Sequence, residues 1–328
     1  MWLERPMRPR QLMPRPRRLT LLGLRIAAPT PKRVLLLSHL LEKANDLVCG
    51  EVFVIQGQSN AEAWTDQRVV HPYRSPWLRS FGTPSTNKDR ARDAVWGNAL
   101  SFNGGPNHHH YQIGYWGVEL GKTLIETHKM PICIINGAQG GTRIDQHQRN
   151  EDDPTDVTTI YGRLLWRLQQ AKLTHGVRAV LWHQGENDMF NKDYMPNYGK
   201  NLKNFLAKWR RDLKTPKLKF YVGELCTKTI WGMDLRPRMY AISRGQKEVC
   251  REDPLAEYVP TSHVGVEIGG GVGLHYHYGT LGQLAHGENY AHAYLRTIVQ
   301  ATKVSRPLTK WPYPKGEKIK LFILAGHR

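Results

Sequence analysis

Glu51-Val-Phe-Val-Ile-Gln-Gly-Gln-Ser59-Asn60 is the stretch on which the fold turns. Val52 to Ile55 are β-branched or aromatic with no polar alternation, the pattern of a strand covered on both faces, as in a parallel sheet. The run stops at Gly57 and gives way to a polar turn carrying Ser59. In open α/β sheets ligands sit beyond the carboxyl ends of the strands, so Ser59 falls where chemistry is expected. Taken alone, a serine at that place also reads as an ordinary helix cap.

Two more apolar runs end the same way. Ile132 to Ile135 opens into a glycine-rich turn, Asn-Gly-Ala-Gln-Gly-Gly-Thr-Arg-Ile at 136–144. Glycines there let backbone N–H groups approach a ligand closely. Ala179 to Trp182 breaks into His-Gln-Gly-Glu-Asn-Asp at 183–188, and a fourth block, Gly273-Leu-His-Tyr276, precedes a long helical pattern. Periodicity predicts strands at Val52–Ile55, Ile132–Asn136, Ala179–Trp182, Leu218–Val222 and Glu257–Pro260. It predicts helices at Val118–His128, Thr159–Thr174, Pro196–Leu213, Arg236–Val249 and Gly279–Val299. In the last helix Leu281, Leu284, Tyr290, Ala291, Tyr294 and Leu295 form an apolar stripe expected to pack in the core. Strands separated by helices imply an α/β fold with a parallel sheet covered on both sides. The link from the first strand to Val118 carries Trp64, His71, Tyr73, Trp77 and Trp96, and is too long for an idle loop. It is expected to form part of a substrate rim.

Gly57–Asn60, Gly140–Ile144, Trp182–Glu186 and Leu274–Tyr276, in this order, resemble the blocks of the SGNH hydrolase superfamily. They are most similar to its carbohydrate esterase branch, which includes sialate O-acetylesterases and acetyl xylan esterases. Gly114–Gly121 resembles that family's helix before the second strand, and the likeness runs roughly from residue 48 to 300. The resemblance implies a three-layer α/β/α, flavodoxin-like fold with a mainly parallel sheet. It also implies a serine esterase that removes O-acetyl groups from a carbohydrate through an acetyl-enzyme intermediate, with no metal or other cofactor.

The resemblance carries roles onto individual residues. Ser59 is the nucleophile, and His275, just before the last helix, is the base, with His277 as its rival. The family's aspartate three positions before the histidine is Val272 here, so Glu186 is expected to serve as the acid, ahead of Glu267 and Asp188. Oxyanion donors are the Ser59 N–H, a backbone N–H at Gly140 or Gly141, and a side-chain amide, Gln184 first and Asn187 second. Gln58 and Asn60 flank the nucleophile and are expected to fix its turn. Arg143 has two equal readings, contact with an anionic sugar or a structural ion pair. His183 is expected to support its block, and His286 and His292 to lie on the helix surface. Loss of a triad acid costs about 10⁴ in rate, roughly 5 kcal/mol of barrier. Valine at 272 therefore predicts a slow or rewired esterase. The alternative is a carbohydrate-binding homologue with impaired catalysis.

The 328 residues suffice for one large domain with extensions. The formal charge of +19 suggests acidic partners, but a large share of it sits in the Arg- and Pro-rich first 33 residues. No nucleic-acid motif accompanies it, so an acetylated carbohydrate is the expected partner and a specific nucleic acid is not. The predicted organisation is a disordered basic segment at 1–33, the esterase domain at 34–303 and a basic extension at 304–328. Leu19 to Ala28 is short and apolar like a secretory leader core, yet Arg25 interrupts it and prolines crowd the stretch before it. A disordered tail is the stronger expectation there. Cys49, Cys133, Cys226 and Cys250 show no metal-binding spacing and are expected to be thiols.

Overall fold

A computed structural model describes residues 48–63, 69–101, 110–225, 227, 229–230, 232–261, 264 and 277–304, the last six and Ile230 without their side chains. The segment before residue 48, the extension after residue 304, Cys226, Glu267, Val272 and His275 lie outside the described residues.

The first strand, β1 (Glu51–Gly57), is the centre of a seven-stranded sheet. On one side it pairs with β4 (Ile132–Asn136), which pairs with β2 (Leu78–Phe81) and then β3 (Trp96–Asn98). On the other side follow β5 (Val177–His183), β6 (Lys219–Gly223) and β9 (Ala256–Val259). Every pairing is parallel except β2 with β3. A small separate hairpin joins β7 (Thr229–Ile230) to β8 (Met233–Asp234).

The unbroken apolar character of the strands is explained by the two cores. Val52, Val54, Cys133, Ile135, Val180, Trp182, Phe220 and Val222 face one side. There they meet α4 (Ile160–Gln170), α5 (Tyr194–Asp212) and α6 (Arg236–Glu252) through Leu164, Leu168, Tyr198, Phe205, Trp209 and Ile242. Phe53, Ile55, Ile132, Ile134, Ala179, Leu181 and Tyr221 face the other side, against α3 (Tyr115–His128) and α7 (Thr280–Val304). Burying each Val, Ile, Leu or Phe side chain here contributes about 1.5–3 kcal/mol against leaving it in water. Thr159 starts α4 by accepting the Gly162 N–H at 2.9 Å, and Lys129 stops α3 by turning to φ 55°. Short helices α1 (Ser59–Glu62) and α2 (Lys88–Ala91) are the other α-helices among the described residues.

All five predicted strands and all five predicted helices are present, with ends displaced by a few residues. The long link after β1 supplies two strands that periodicity does not reveal, β2 and β3. The apolar stripe of α7 is also shifted. Leu281 is 71% exposed, whereas Gln283 and His286 are fully buried beside Tyr290, Ala291 and Tyr294. His286 is therefore not a surface residue: its ring stacks on Tyr278 at 4.8 Å and meets Trp116 edge-on. His292 is exposed, as expected. Cys49, Cys133 and Cys250 are free thiols. Among the described residues no helix is long and apolar enough to cross a membrane.

Candidate active site

The register of the sheet builds the site. β1 and β5 run side by side so that Gly57 is level with His183. Gly57 has φ 144°, and a Cβ there would meet the His183 carbonyl oxygen at 1.9 Å. Only glycine lets the chain leave β1 so close to its neighbour. The next residue, Gln58, donates its N–H to that same carbonyl at 3.1 Å, and α1 begins at Ser59.

The partly exposed Ser59 hydroxyl lies 3.0 Å from His277 Nε2. The ring that reaches the serine is thus the one two residues beyond His275, which lies outside the described residues. In the three-residue register the position before His277 is Leu274, as apolar as the Val272 that precedes His275.

Asn60 ties three segments together. Its Nδ2 donates to Glu186 Oε1 at 2.7 Å, its Oδ1 accepts the Tyr278 N–H at 3.2 Å, and its carbonyl accepts Trp116 Nε1 at 2.8 Å. Glu186 is buried and stands 3.4 Å from His183 Nε2. Burial works to raise its pKa, but the His183 ring and the Asn60 amide outweigh that and hold it below the ordinary carboxylate value. Among the described residues the partners of Glu186 are Asn60 and His183, so it meets the His277 segment through an amide.

Gln58 faces inward. Its Oε1 accepts Gln184 Nε2, the Gly185 N–H and the Asn187 N–H at 3.1, 3.2 and 3.3 Å, fastening the 184–187 turn to the nucleophile's turn. Gln184, placed first among the amides on sequence grounds, is fully buried. Its Nε2 is surrounded by Gln58 Oε1, the Thr142 carbonyl and Asp188 Oδ2. Asn187 is only partly buried, and its Nδ2 donates to the Gly141 carbonyl at 2.7 Å. Asp188 accepts Gln184 Nε2 and the Ile144 N–H at the base of this turn, and burial pushes its pKa up to about 7.

The glycine-rich turn is held from below. Asn136 Nδ2 donates to the carbonyls of Ala61 and Ile113, while its Oδ1 accepts the Ala138 N–H at 2.8 Å. Thr142 Oγ1 donates to the Gln139 carbonyl. Arg143 pairs with Asp145 at 3.0 Å and covers the Tyr194 ring. Gly140 and Gly141 lie in this turn, Gly140 beside Ser59. A residue that sequence reasoning passed over is Glu62, three positions after Ser59, whose carboxyl accepts the Gly140 N–H.

Comparison with known proteins follows the same lines. The family model described as carbohydrate esterase, sialic acid-specific acetylesterase, matches residues 49–296. A probable carbohydrate esterase of Arabidopsis thaliana is 31% identical over 98 residues, which are 30% of this chain and 35% of the relative. The match thus spans about a third of that relative's length. Among solved structures, an Arabidopsis thaliana protein superposes with a TM-score of 0.59 at 18% identity, covering 76% of this chain and 98% of the other. NanS gives 0.56 at 15% identity, with 76% and 98% covered. A carbohydrate acetylesterase of Xanthomonas citri gives 0.51 at 17%, with 75% and 56% covered. At these identities the structural likenesses speak for the fold, which is that of the SGNH hydrolases.

Proposed function

Because the chain belongs to the sialic acid-specific acetylesterase family of carbohydrate esterases, we propose that it is a serine hydrolase removing O-acetyl groups from a carbohydrate. The observation that carries this reading is the 3.0 Å separation of Ser59 Oγ and His277 Nε2 at the carboxyl end of the central strand. A hydroxyl needs a base within hydrogen-bond reach to attack an ester.

In this reading His277 Nε2 takes the Ser59 proton as Oγ attacks the acetyl carbonyl carbon. The tetrahedral intermediate collapses with cleavage of the bond to the sugar oxygen, which takes the proton from His277. Water, deprotonated by the same ring, then releases acetate from the serine. Negative charge on the acetyl oxygen falls near the Ser59 N–H, the Gly140–Gly141 turn and Asn187. Asn187, partly exposed with one Nδ2 hydrogen given to the Gly141 carbonyl, suits this role better than Gln184, which is fully buried with its amide among three acceptors. Glu186 acts on the ring's position through Asn60 and the Tyr278 N–H. Neither Val272 nor Leu274 offers the family's aspartate, and a modest turnover follows from that.

The test is acetate release from 4-nitrophenyl acetate and a panel of acetylated sugars by wild type beside Ser59→Ala. Turnover that vanishes in the variant is expected. Sugar binding without Ser59-dependent turnover on any substrate would instead support the non-catalytic homologue.

A further inference from the structure

Glu62 is the carboxyl that this mechanism leaves unused. It closes the helical turn that Ser59 opens. It also lines a small cleft beyond the ends of β2 and β4, with Thr83, Ser85, Gln139 and Arg163. A Cβ at Gly140 would stand 2.9 Å from Glu62 Oε2 and 3.6 Å from Ser59 Cβ, so the space that glycine leaves open adjoins both the acid and the nucleophile. The Gly140 N–H, a donor expected for the oxyanion, is already taken by Glu62.

Burial pushes the Glu62 pKa up to about 7, with the Gly140 bond pulling the other way. The charged groups around it do not neutralise it. Arg163 and Arg167 come from α4, but Arg163 is turned to Gln139 Oε1 and the carbonyls of Val157 and Thr158. Arg167 is turned to the carbonyls of Phe81 and Asn136. Asp93 and His110 stand behind Thr83, bonded to its hydroxyl, and His277 faces Ser59. The turn 137–141 brings only backbone and the Gln139 amide.

We propose that Glu62, in its neutral form, is a catalytic hydrogen-bond donor to the ester carbonyl oxygen, accepting the Gly140 N–H on one carboxyl oxygen and presenting the hydroxyl of the other to the reacting acetyl group. The proposal rests on the serine hydrolase reading above. No bond of Glu62 is made or broken, and its proton stays in place while the oxyanion forms and collapses. A neutral acid held in a site of low polarity can donate where a carboxylate would repel the developing charge. Ionisation therefore switches the donor off, and turnover falls as pH rises through it.

The experiment compares kcat/KM against pH for wild type, Glu62→Gln and Glu62→Ala on 4-nitrophenyl acetate, with Ser59→Ala as the blank. Wild type should lose activity on the alkaline side from about pH 7. Glu62→Gln, whose amide both accepts and donates, should stay within about tenfold of wild type at its optimum and lose that alkaline limb. Glu62→Ala should fall by about 10²–10³, the usual cost of one oxyanion donor. An alanine variant as fast as wild type would mean that Gly140 donates directly, and would overturn the proposal. So would a glutamine variant that keeps the limb. An activity-independent check is the ¹³C carboxyl resonance present in wild type and missing from folded Glu62→Gln; titration in the ordinary glutamate range would also overturn it. Absence of any Ser59-dependent activity removes the hydrolase reading and this one together, whereas a persistent limb removes this one alone.

Discussion

Asn60 and Glu186, 126 positions apart, share a buried hydrogen bond in which Asn60 Nδ2 donates to Glu186 Oε1 at 2.7 Å. The other end of the same amide accepts the N–H of Tyr278, the residue after His277. Asn60 therefore couples the acid to the segment carrying the proposed base. Glu186→Gln can keep the Asn60 bond through its amide oxygen only by turning its N–H₂ toward another partner, and it removes the charge beside His183 Nε2 that helps hold this buried cluster. A displacement of about 1 Å at a reacting group can cost about 10² in rate. Steady-state kinetics should show kcat down by about that factor with KM little changed; near-native kcat would remove Glu186 from the positioning of His277.

The choice between two histidines is open to a direct measurement. His277→Gln should lower turnover by several orders of magnitude, since loss of the base in a serine hydrolase costs about 10⁶ in kcat. His275→Gln should cost far less. A reversed ranking in two folded variants would return the base to His275 and make the 3.0 Å contact incidental.

Asp188 makes stability depend on pH. Its ordinary value is 3.8 and burial carries it to about 7 in the folded protein. A carboxyl raised in this way contributes stability that is fully present below the unfolded value and is lost as pH rises through the folded one. The melting temperature of Asp188→Asn relative to wild type should therefore climb between about pH 4 and pH 7 and then level off. Parallel melting curves across that interval would show that Asp188 is ionised throughout.

Gly57→Ala tests the close approach of β1 to β5. The Cβ would have to share space with the His183 carbonyl oxygen 1.9 Å away, at φ 144°. Backbone strain of this kind costs about 1–3 kcal/mol before any steric displacement. A fall in melting temperature together with loss of Ser59-dependent turnover is expected, because the collision lies one residue from Gln58 and two from Ser59. An unchanged melting temperature would show that the two strand ends separate easily.

The strands that carry the site were legible because each is covered on both faces and so reads as a continuous apolar run, as Ile132 to Ile135 does. β2 was not, since Arg79 and Ser80 interrupt its four residues and only pairing with β3 and β4 makes it a strand. The burial of His286 follows from the next residue. A Cβ at Gly287 would meet the Trp116 carbonyl oxygen at 2.5 Å, so α7 lies close against α3 and draws the histidine in with it. No helix-face pattern announces that. Ser59, Asn60 and Gln58 stood out because a strand ended at them. Glu62 did not, because an acid in a first helical turn normally faces water. Here the turn 137–141, distant in sequence, folds over it.

One further consequence concerns synthesis. The proposed nucleophile leaves β1, while the histidine that meets it comes after β9, 218 positions later. At about 5–20 residues per second, the ribosome adds that interval in roughly 10–40 s. Throughout that time the nascent chain carries the proposed nucleophile with no ring beside it, and the pair on which the proposed mechanism rests comes together only when the segment leading into α7 has been made.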